Sequence, residues 1–437
     1  MNSTKTDIYS LPEYKRTRKA YIAECTFEYF VALLVADAYL SSLLHHMGIS
    51  DAMIGIMSSL ISFSFLFQLF AVIAVRHIVN VKRAAIIFHF SSQIFFMSLY
   101  FIPFLPFARE FRTVIVFACI LIAYFGNYLV TSTIYKWGMS FVDTHKRASF
   151  SASKEMVSLV SGIVFSLITG FAVDKFSESG NIEGGFIFIG VCILVSSLFD
   201  LVSLILMKNQ KFEKNTVGQE PMTVVVKKLF SNKGFICLLF ANILWYIGLY
   251  MTNSFMGIYK TSPDELNFTV GQVQIMNIVG CFFRFALSKP IGKFSDKTSY
   301  VSGIMVGACM AAACFAANIF TSPSSRWVIY IYTLLYYGSL AATTQNFMNI
   351  TFDIVGNKYF VQASSIKMAL SGLCGFGASL VGSLILSAIQ KNGNRLFGIE
   401  IRGQQFLSVI SCIIMLTLAL FVNFVLKKQK KVVDISE

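Results

Sequence analysis

Three acids stand in the first long apolar stretch of the chain: Glu24, Glu28 and Asp37. A charged side chain at the centre of a membrane helix costs about 2.5–3.5 kcal/mol on insertion scales, so such groups mark proton or ion chemistry, or a charged partner. Glu24 and Glu28 are one turn apart and share a helix face. Asp37 follows Glu28 by nine residues, about 180° around an ideal helix, so all three face one cavity only if the helix bends. Glu28, about two turns in, is the first choice for a proton carrier. Asp37, past the midpoint, is the second choice, or else the partner of a neighbouring helix. Glu24 lies near the end of the stretch, where it is either solvated or a third candidate for proton coupling. A structural hydrogen bond or ion pair suits Glu28 and Asp37 as well as proton coupling does.

Basic residues fall within or at the edges of other apolar stretches: Lys136, Lys154, Arg284 and Lys367. Lys136 and Arg284 approach the ends of theirs and can snorkel outward. Their sharper reading is as charge partners of Glu28 or Asp37, keeping the acids ionised until protonation or substrate breaks the pair. Lys154 and Glu155 read as a gate or terminus pair, Asp200 as serving the interior loops, and His45-His46 as interfacial.

Polar and aromatic residues gather on three later stretches. Tyr124, Asn127, Tyr128, Thr131 and Tyr135 cluster within about 100° of one helix face. Asn242, Tyr246, Tyr250 and Asn253, flanked by Trp245, form a second stripe. Tyr336, Tyr337, Thr343, Thr344, Gln345, Asn346 and Asn349 form a third, wider one. Polar groups do not face lipid unsatisfied, so these stripes face protein or a water-filled cavity. Such a cavity, rich in rings and amides and poor in fixed charge, suits an uncharged or weakly polar organic molecule.

Enzyme chemistry finds no support. There is no GxxxxGK[ST] phosphate loop, no HExxH and no GxSxG, and the five histidines show no metal-ligand spacing. The nine cysteines are scattered without a CxxC and read as small hydrophobes. No catalytic residue, metal or cofactor is expected, only a proton gradient as the energy source.

The elements that must carry these residues are membrane helices. Hydrophobic residues make up 56% of the 437 and charged residues 13%, with a mean hydropathy of +0.67. Soluble domains carry about a quarter charged residues. Twelve stretches reach the roughly 20 apolar residues that span a bilayer: 20–45, 52–75, 84–107, 113–138, 153–173, 185–207, 234–257, 270–291, 300–320, 327–350, 362–389 and 404–426. With the N-terminus inside, basic residues favour the inner loops by roughly three to one, the positive-inside bias. That bias accounts for the net charge of +14 and excludes nucleic acid as the partner; the partners expected are the lipid bilayer and a small-molecule substrate, met as a monomer. The stretch from Lys208 to Lys233 is polar and joins two halves, giving domains 1–207 and 234–437 about a central loop, 208–233. Within the loop, Met222 to Phe230 reads as a short surface helix.

The halves repeat each other. Ser158, Gly162, Ser166 and Gly170 recur every fourth residue in the fifth stretch, as do Ser371, Gly375, Ser379 and Ser383 in the eleventh. Small residues so spaced form a seam where membrane helices approach closely, between halves or within one bundle. Gly126 matches Gly338, Arg147 matches Lys358, and Ser50 and Thr269 each stand to cap the next helix. Between the eighth and ninth stretches, Gly292-Lys293-Phe294-Ser295-Asp296-Lys297 resembles the Gly-x-x-x-Asp-Arg/Lys loop signature of the major facilitator superfamily, in its second-half copy. The first-half copy, expected at 71–83, lacks both the glycine and the acid.

The resemblance implies an all-α polytopic fold of twelve transmembrane helices in two pseudo-symmetric six-helix bundles, with alternating access to a central cavity. It also implies that the first, fourth, seventh and tenth helices line the cavity and that the second, fifth, eighth and eleventh form the sliding interface. Gly292, Asp296, Lys297, Arg147 and Lys358 would then sit at gating loops. The expected function is secondary active transport, foremost proton-coupled export of hydrophobic or amphipathic compounds. The alternative is a nutrient symporter for sugars or related polar solutes, and a lesser one is a transporter-like membrane sensor. The expected place is the cytoplasmic (inner) membrane, with both termini cytoplasmic.

Overall fold

The computed structural model describes residues 11–74, 80–142, 147–209, 220–396 and 399–428. All twelve apolar stretches are helical. The first is α1 (Pro12–Leu34) and α2 (Asp37–His46), the second α3 (Asp51–Ser64) and α4 (Phe67–Ala74). The third is broken into α5 (Val81–Ala84), a π-helical turn (Ala85–His89) and α6 (Phe90–Ser98). Then come α7 (Arg109–Met139), α8 (Arg147–Glu178) and α9 (Ile182–Leu206), and the short connecting α10 (Met222–Ser231). The rest is α11 (Lys233–Asn253), the short α12 (Met256–Thr261), α13 (Val270–Lys297), α14 (Tyr300–Ile319), the long α15 (Val328–Lys391) and α16 (Gly403–Phe424). A two-residue hairpin, β1 (Arg395–Leu396) and β2 (Ile399–Glu400), precedes α16.

Among the described residues nine helices are long and apolar enough to cross a membrane, ten with the bent pair α1–α2 counted as one. The remaining two stretches are the third, divided by its π turn, and the tenth, which runs into the eleventh as α15. Gly356 separates the two arms of α15 with φ 66° and ψ 175°, a conformation essentially reserved for glycine.

Local chemistry explains the ends. Pro12 opens α1, where its missing N–H is not needed. Thr269 and Gln272 form the expected capping box on α13. Ser50 stands at the N-cap of α3, but its hydroxyl makes no cap bond. Asn181, Asn232 and Ser299 cap α9, α11 and α14 by accepting backbone N–H groups. The first span bends by 42° between α1 and α2, with Asp37 at φ 44°.

The chain forms two compact units: Met1–Leu43 with Phe70–Thr216, and Leu44–Leu69 with Val217–Glu437. The second span thus packs with the second half, a departure from a simple division at residues 208–233. In the first unit Trp137 and Tyr21 are fully enclosed among Val130, Ile134, Phe141 and Leu204, and the Trp137 indole donates to the Lys208 carbonyl at 3.0 Å. In the second, Phe255, Met251, Leu386 and Leu407 form a core between α11, α15 and α16.

Candidate functional site

The first unit buries three ionisable side chains from three helices. Glu24 of α1 is 1% exposed, not solvated as its position in the sequence suggests. His89 ends the π turn of the third span and is 1% exposed; Asp200 of α9 is 0% exposed, turned into the bundle and away from the interior loops. The His89 Nε2 stands 3.1 Å from Asp200 Oδ2. Gln93, one turn beyond His89, brings its Nε2 to 3.3 Å from the same ring nitrogen. The Cys25 thiol donates to Glu24 Oε2 at 3.2 Å.

Buried polar atoms are almost always hydrogen-bonded, and here several are not. Both Asp200 carboxylate oxygens, His89 Nδ1 and Gln93 Oε1 lack a hydrogen bond of acceptable geometry, so the 3.1 Å approach is a charge contact, not an aligned bond. One ligand-type atom each from Glu24, His89 and Asp200 lie within 4.8 Å of one another. Among the described residues no lysine or arginine pairs with either acid. The arrangement can hold shared protons or a cation. No motif announces it, because the residues lie at 24, 89 and 200 in the sequence; a histidine inside an apolar stretch was the available signal.

Glu28 is half-buried one turn further along α1, with no ion pair within its unit among the described residues. Asp37 is half-buried at the break between α1 and α2. The side chains of Lys136, Arg147 and Lys358 lie outside the described residues. Arg284 is half-buried on α13 and likewise makes no ion pair within its unit among the described residues. Lys154 does not pair with Glu155; its ammonium lies over the Tyr21 and Tyr135 rings, at 5.2 and 5.8 Å.

The aromatic residues of the stripes pair with one another. On α7 the Tyr124 and Tyr128 rings stack at 5.9 Å, and the Thr131 hydroxyl donates to the Asn127 carbonyl and side-chain oxygens at 2.7 and 3.0 Å. Tyr135, 50% exposed, lies outside that group. On α11 the Tyr246 and Tyr250 rings stack at 5.8 Å, and Trp245 is buried against Phe347. In the first arm of α15 Tyr336 stacks on Tyr332 at 6.0 Å and meets Tyr337 edge-on at 5.5 Å.

The amides behave differently. Asn242 is buried and donates to the Ser371 hydroxyl at 2.7 Å, and Asn346 donates to its own helix at Ala342, 2.6 Å. Asn253 accepts from the Tyr332 hydroxyl at 3.3 Å. Gln345 is exposed and Asn349 half-buried. Lys367, expected within a span or at its edge, is buried; it donates to the Phe347 carbonyl at 3.2 Å and the Thr351 hydroxyl at 2.8 Å.

Both small-residue seams are buried. In the first unit the seam on α8 packs against the first span. The Ser158 and Thr26 hydroxyls meet at 3.1 Å, the Tyr39 hydroxyl donates to the Ser166 carbonyl at 3.2 Å, and a β-carbon on Gly162 would stand 2.4 Å from the Tyr29 ring. Gly170 lies buried one turn on. In the second unit the seam on α15 receives α3 and α11. Ser371 takes the Asn242 amide, Gly375 lies against Ser62 and Tyr250, and Ser379 and Ser383 are buried beyond. The signature Gly292–Lys297 is not a loop: it forms the last turns of α13, exposed except at Ser295, and Asp296 borders a cavity of about 220 Å³ with Ser299, Tyr300 and Asp353.

A family model described as Major Facilitator Superfamily matches residues 21–379. No curated protein matches the chain in sequence. Among solved structures the chain is similar to the nucleoside transporter NupG, at TM-score 0.67 and 16% identity, covering 96% of this chain and 100% of that one. It is similar to a bacterial homolog of the human lysosomal transporter Spinster, at TM-score 0.66 and 14% identity, covering 96% and 98%. A D-xylose-proton symporter aligns at TM-score 0.65 and 12% identity, covering 93% and 96%.

Proposed function

Because the chain belongs to the major facilitator superfamily and is a multi-pass membrane transporter, we propose that it is proton-coupled and exports an uncharged or weakly polar, amphipathic organic molecule. The observation that carries the coupling is an asymmetry. Glu24, Glu28, Asp37, His89 and Asp200 all lie in membrane spans of the first unit, whereas α11, the seventh span, bears no acid. Intramembrane ionisable groups are kept for ion or proton pathways. Glu28 is the carrier, since it is half-buried and has no ion pair within its unit among the described residues. Asp37 is the second choice.

The amphipathic cargo is read from the aromatic character of the stripes. The amides of Asn242 and Asn346 are spent on Ser371 and Ala342. The Tyr124–Tyr128 and Tyr246–Tyr250 pairs stack, and Phe96 and Phe65 meet them edge-on, surroundings that suit flat apolar groups. The protein works as a monomer in the cytoplasmic membrane with both termini inside, its transport driven by the proton gradient. Uptake of a polar solute is the second reading, favoured by the likeness to a D-xylose-proton symporter and to a nucleoside transporter.

Transport of a labelled panel into inverted vesicles, with and without a pH gradient, tests the proposal. Gradient-driven uptake of lipophilic compounds there is the expected result. Accumulation of a sugar in right-side-out vesicles supports the second reading instead. Glu28→Gln abolishes uphill transport and spares exchange; full uphill transport by that variant removes Glu28 as the carrier.

A further inference from the structure

We propose that Glu24, His89 and Asp200 form a binding site for one divalent transition-metal ion of the zinc class. The donors are one imidazole nitrogen and two carboxylate oxygens, from three separate helices of the first unit, within 4.8 Å of one another. Zinc ligands at about 2.0–2.1 Å stand roughly 3.3 Å apart around a tetrahedron, so small side-chain rotations close the set. Each side chain is at most 1% exposed, which keeps bulk water from competing.

Charge and hydrogen bonding point the same way. When the imidazole gives up its proton to act as a ligand, the two buried carboxylates carry two negative charges, and no lysine or arginine among the described residues balances them. A dication matches that charge. Both Asp200 oxygens and His89 Nδ1 are buried without a hydrogen bond, and so is the Oε1 of Gln93, whose Nε2 stands 3.3 Å from the ring. Those are atoms awaiting a positive ligand. The Cys25 thiol donates to Glu24 and orients that carboxylate from behind. The π turn Ala85–His89 breaks the third span at the residue that supplies the nitrogen; such single turns recur at functional sites.

The donor set selects the metal. Imidazole with carboxylates suits zinc, cobalt and their neighbours. Magnesium and calcium need more oxygens than this donor set supplies, and magnesium keeps several waters. The site stands on side-chain geometry, whatever the cargo and direction of transport.

The test is Co²⁺ titration of the full-length protein, chelator-stripped and purified without a histidine tag. Expected is one Co²⁺ per chain, with the visible absorption of a low-coordinate nitrogen–oxygen site. It should be displaced by Zn²⁺ but not by Mg²⁺, and Zn²⁺ should raise the thermal midpoint. Asp200→Asn and His89→Gln should each weaken Co²⁺ binding by more than about tenfold, a loss that removing even an outer-shell partner can cause. Cys309→Ser, at an exposed cysteine, should change nothing. Absence of stoichiometric Co²⁺ uptake by the wild-type protein overturns the proposal, as does uptake unchanged in both ligand variants. An intense thiolate-to-cobalt band also overturns it, by placing the ion on cysteines; that reading needs only the wild-type protein.

Discussion

The Ser62 hydroxyl donates to the Gly372 carbonyl at 2.8 Å, where the second span meets the second arm of α15. Gly372 has no room for a side chain there: a β-carbon would stand 2.3 Å from the Ser62 carbonyl oxygen, and backbone cannot swing aside as a side chain can. Gly372→Ala therefore separates the two helices. It should cost about 1–3 kcal/mol, the usual range for overpacking, and lower transport in the same measure as it lowers the thermal midpoint in detergent. Ser62→Ala removes only a hydroxyl and should cost about 1 kcal/mol. Equal melting of Gly372→Ala and wild type would show that the seam is loose.

Asn242 and Tyr250 face different tasks on one helix. The Asn242 amide is buried and bound to Ser371, so Asn242→Ala leaves a buried hydroxyl short of a partner and costs about 1–3 kcal/mol. Substrate affinity in the surviving protein should change little. Tyr250 stacks on Tyr246 at 5.8 Å, and Tyr250→Ala should weaken substrate binding severalfold, because it removes a ring face. Paired melting curves and binding isotherms separate the two. A variant at Asn242 that melts normally but loses substrate would reverse the assignment.

Hydropathy and length made the helices of the twelve apolar stretches legible, since an apolar run of that size has little choice but a helix. Where the account stopped was in directions. Ser158–Gly170 recur at four-residue spacing, but spacing alone does not say which helix lies against them; the rings of Tyr29 and Tyr39 on the first span do. The signature Gly292–Lys297 looked like a loop, yet its residues tolerate helix and α13 continues through it, Pro290 included. The approach of Glu24, His89 and Asp200 was illegible because no local spacing connects residues brought together by tertiary packing. Asn242 and Asn346 were placed on sensible faces, but polar character on a face does not tell whether the donor is already spent.

Gly356 makes a sharper prediction about the tenth and eleventh spans. Its φ of 66° with ψ of 175° lies where a β-carbon is strained, although nothing stands within 4 Å of the added atom. The cost of Gly356→Ala is therefore conformational, about 1–3 kcal/mol. It should appear as a lowered thermal midpoint of the purified protein. Retention of the wild-type midpoint would mean that the two arms of α15 can join through an ordinary helical residue.

Outside the spans, Glu265 is buried in the loop after α12 and accepts from the Arg402 guanidinium, which also donates to the Asp264 carbonyl at 2.8 Å. Burial raises the Glu265 carboxyl above the usual carboxylate range, with Arg402 pulling it back down. Since the folded chain holds that proton more tightly than the unfolded chain, the group's stabilising effect is full at acid pH, below the ordinary carboxylate range. It is lost as pH rises through the raised value. Arg402→Gln takes away the opposing charge and leaves a buried carboxylate alone, a change of the order of 3 kcal/mol at neutral pH. In acid the carboxyl is neutral in both states, so the penalty should shrink. Melting wild type and Arg402→Gln at neutral and at acid pH should therefore give a gap in midpoint that narrows on acidification. A gap that stays constant would mean that Arg402 holds the loop through the Asp264 carbonyl and not through the charge of Glu265.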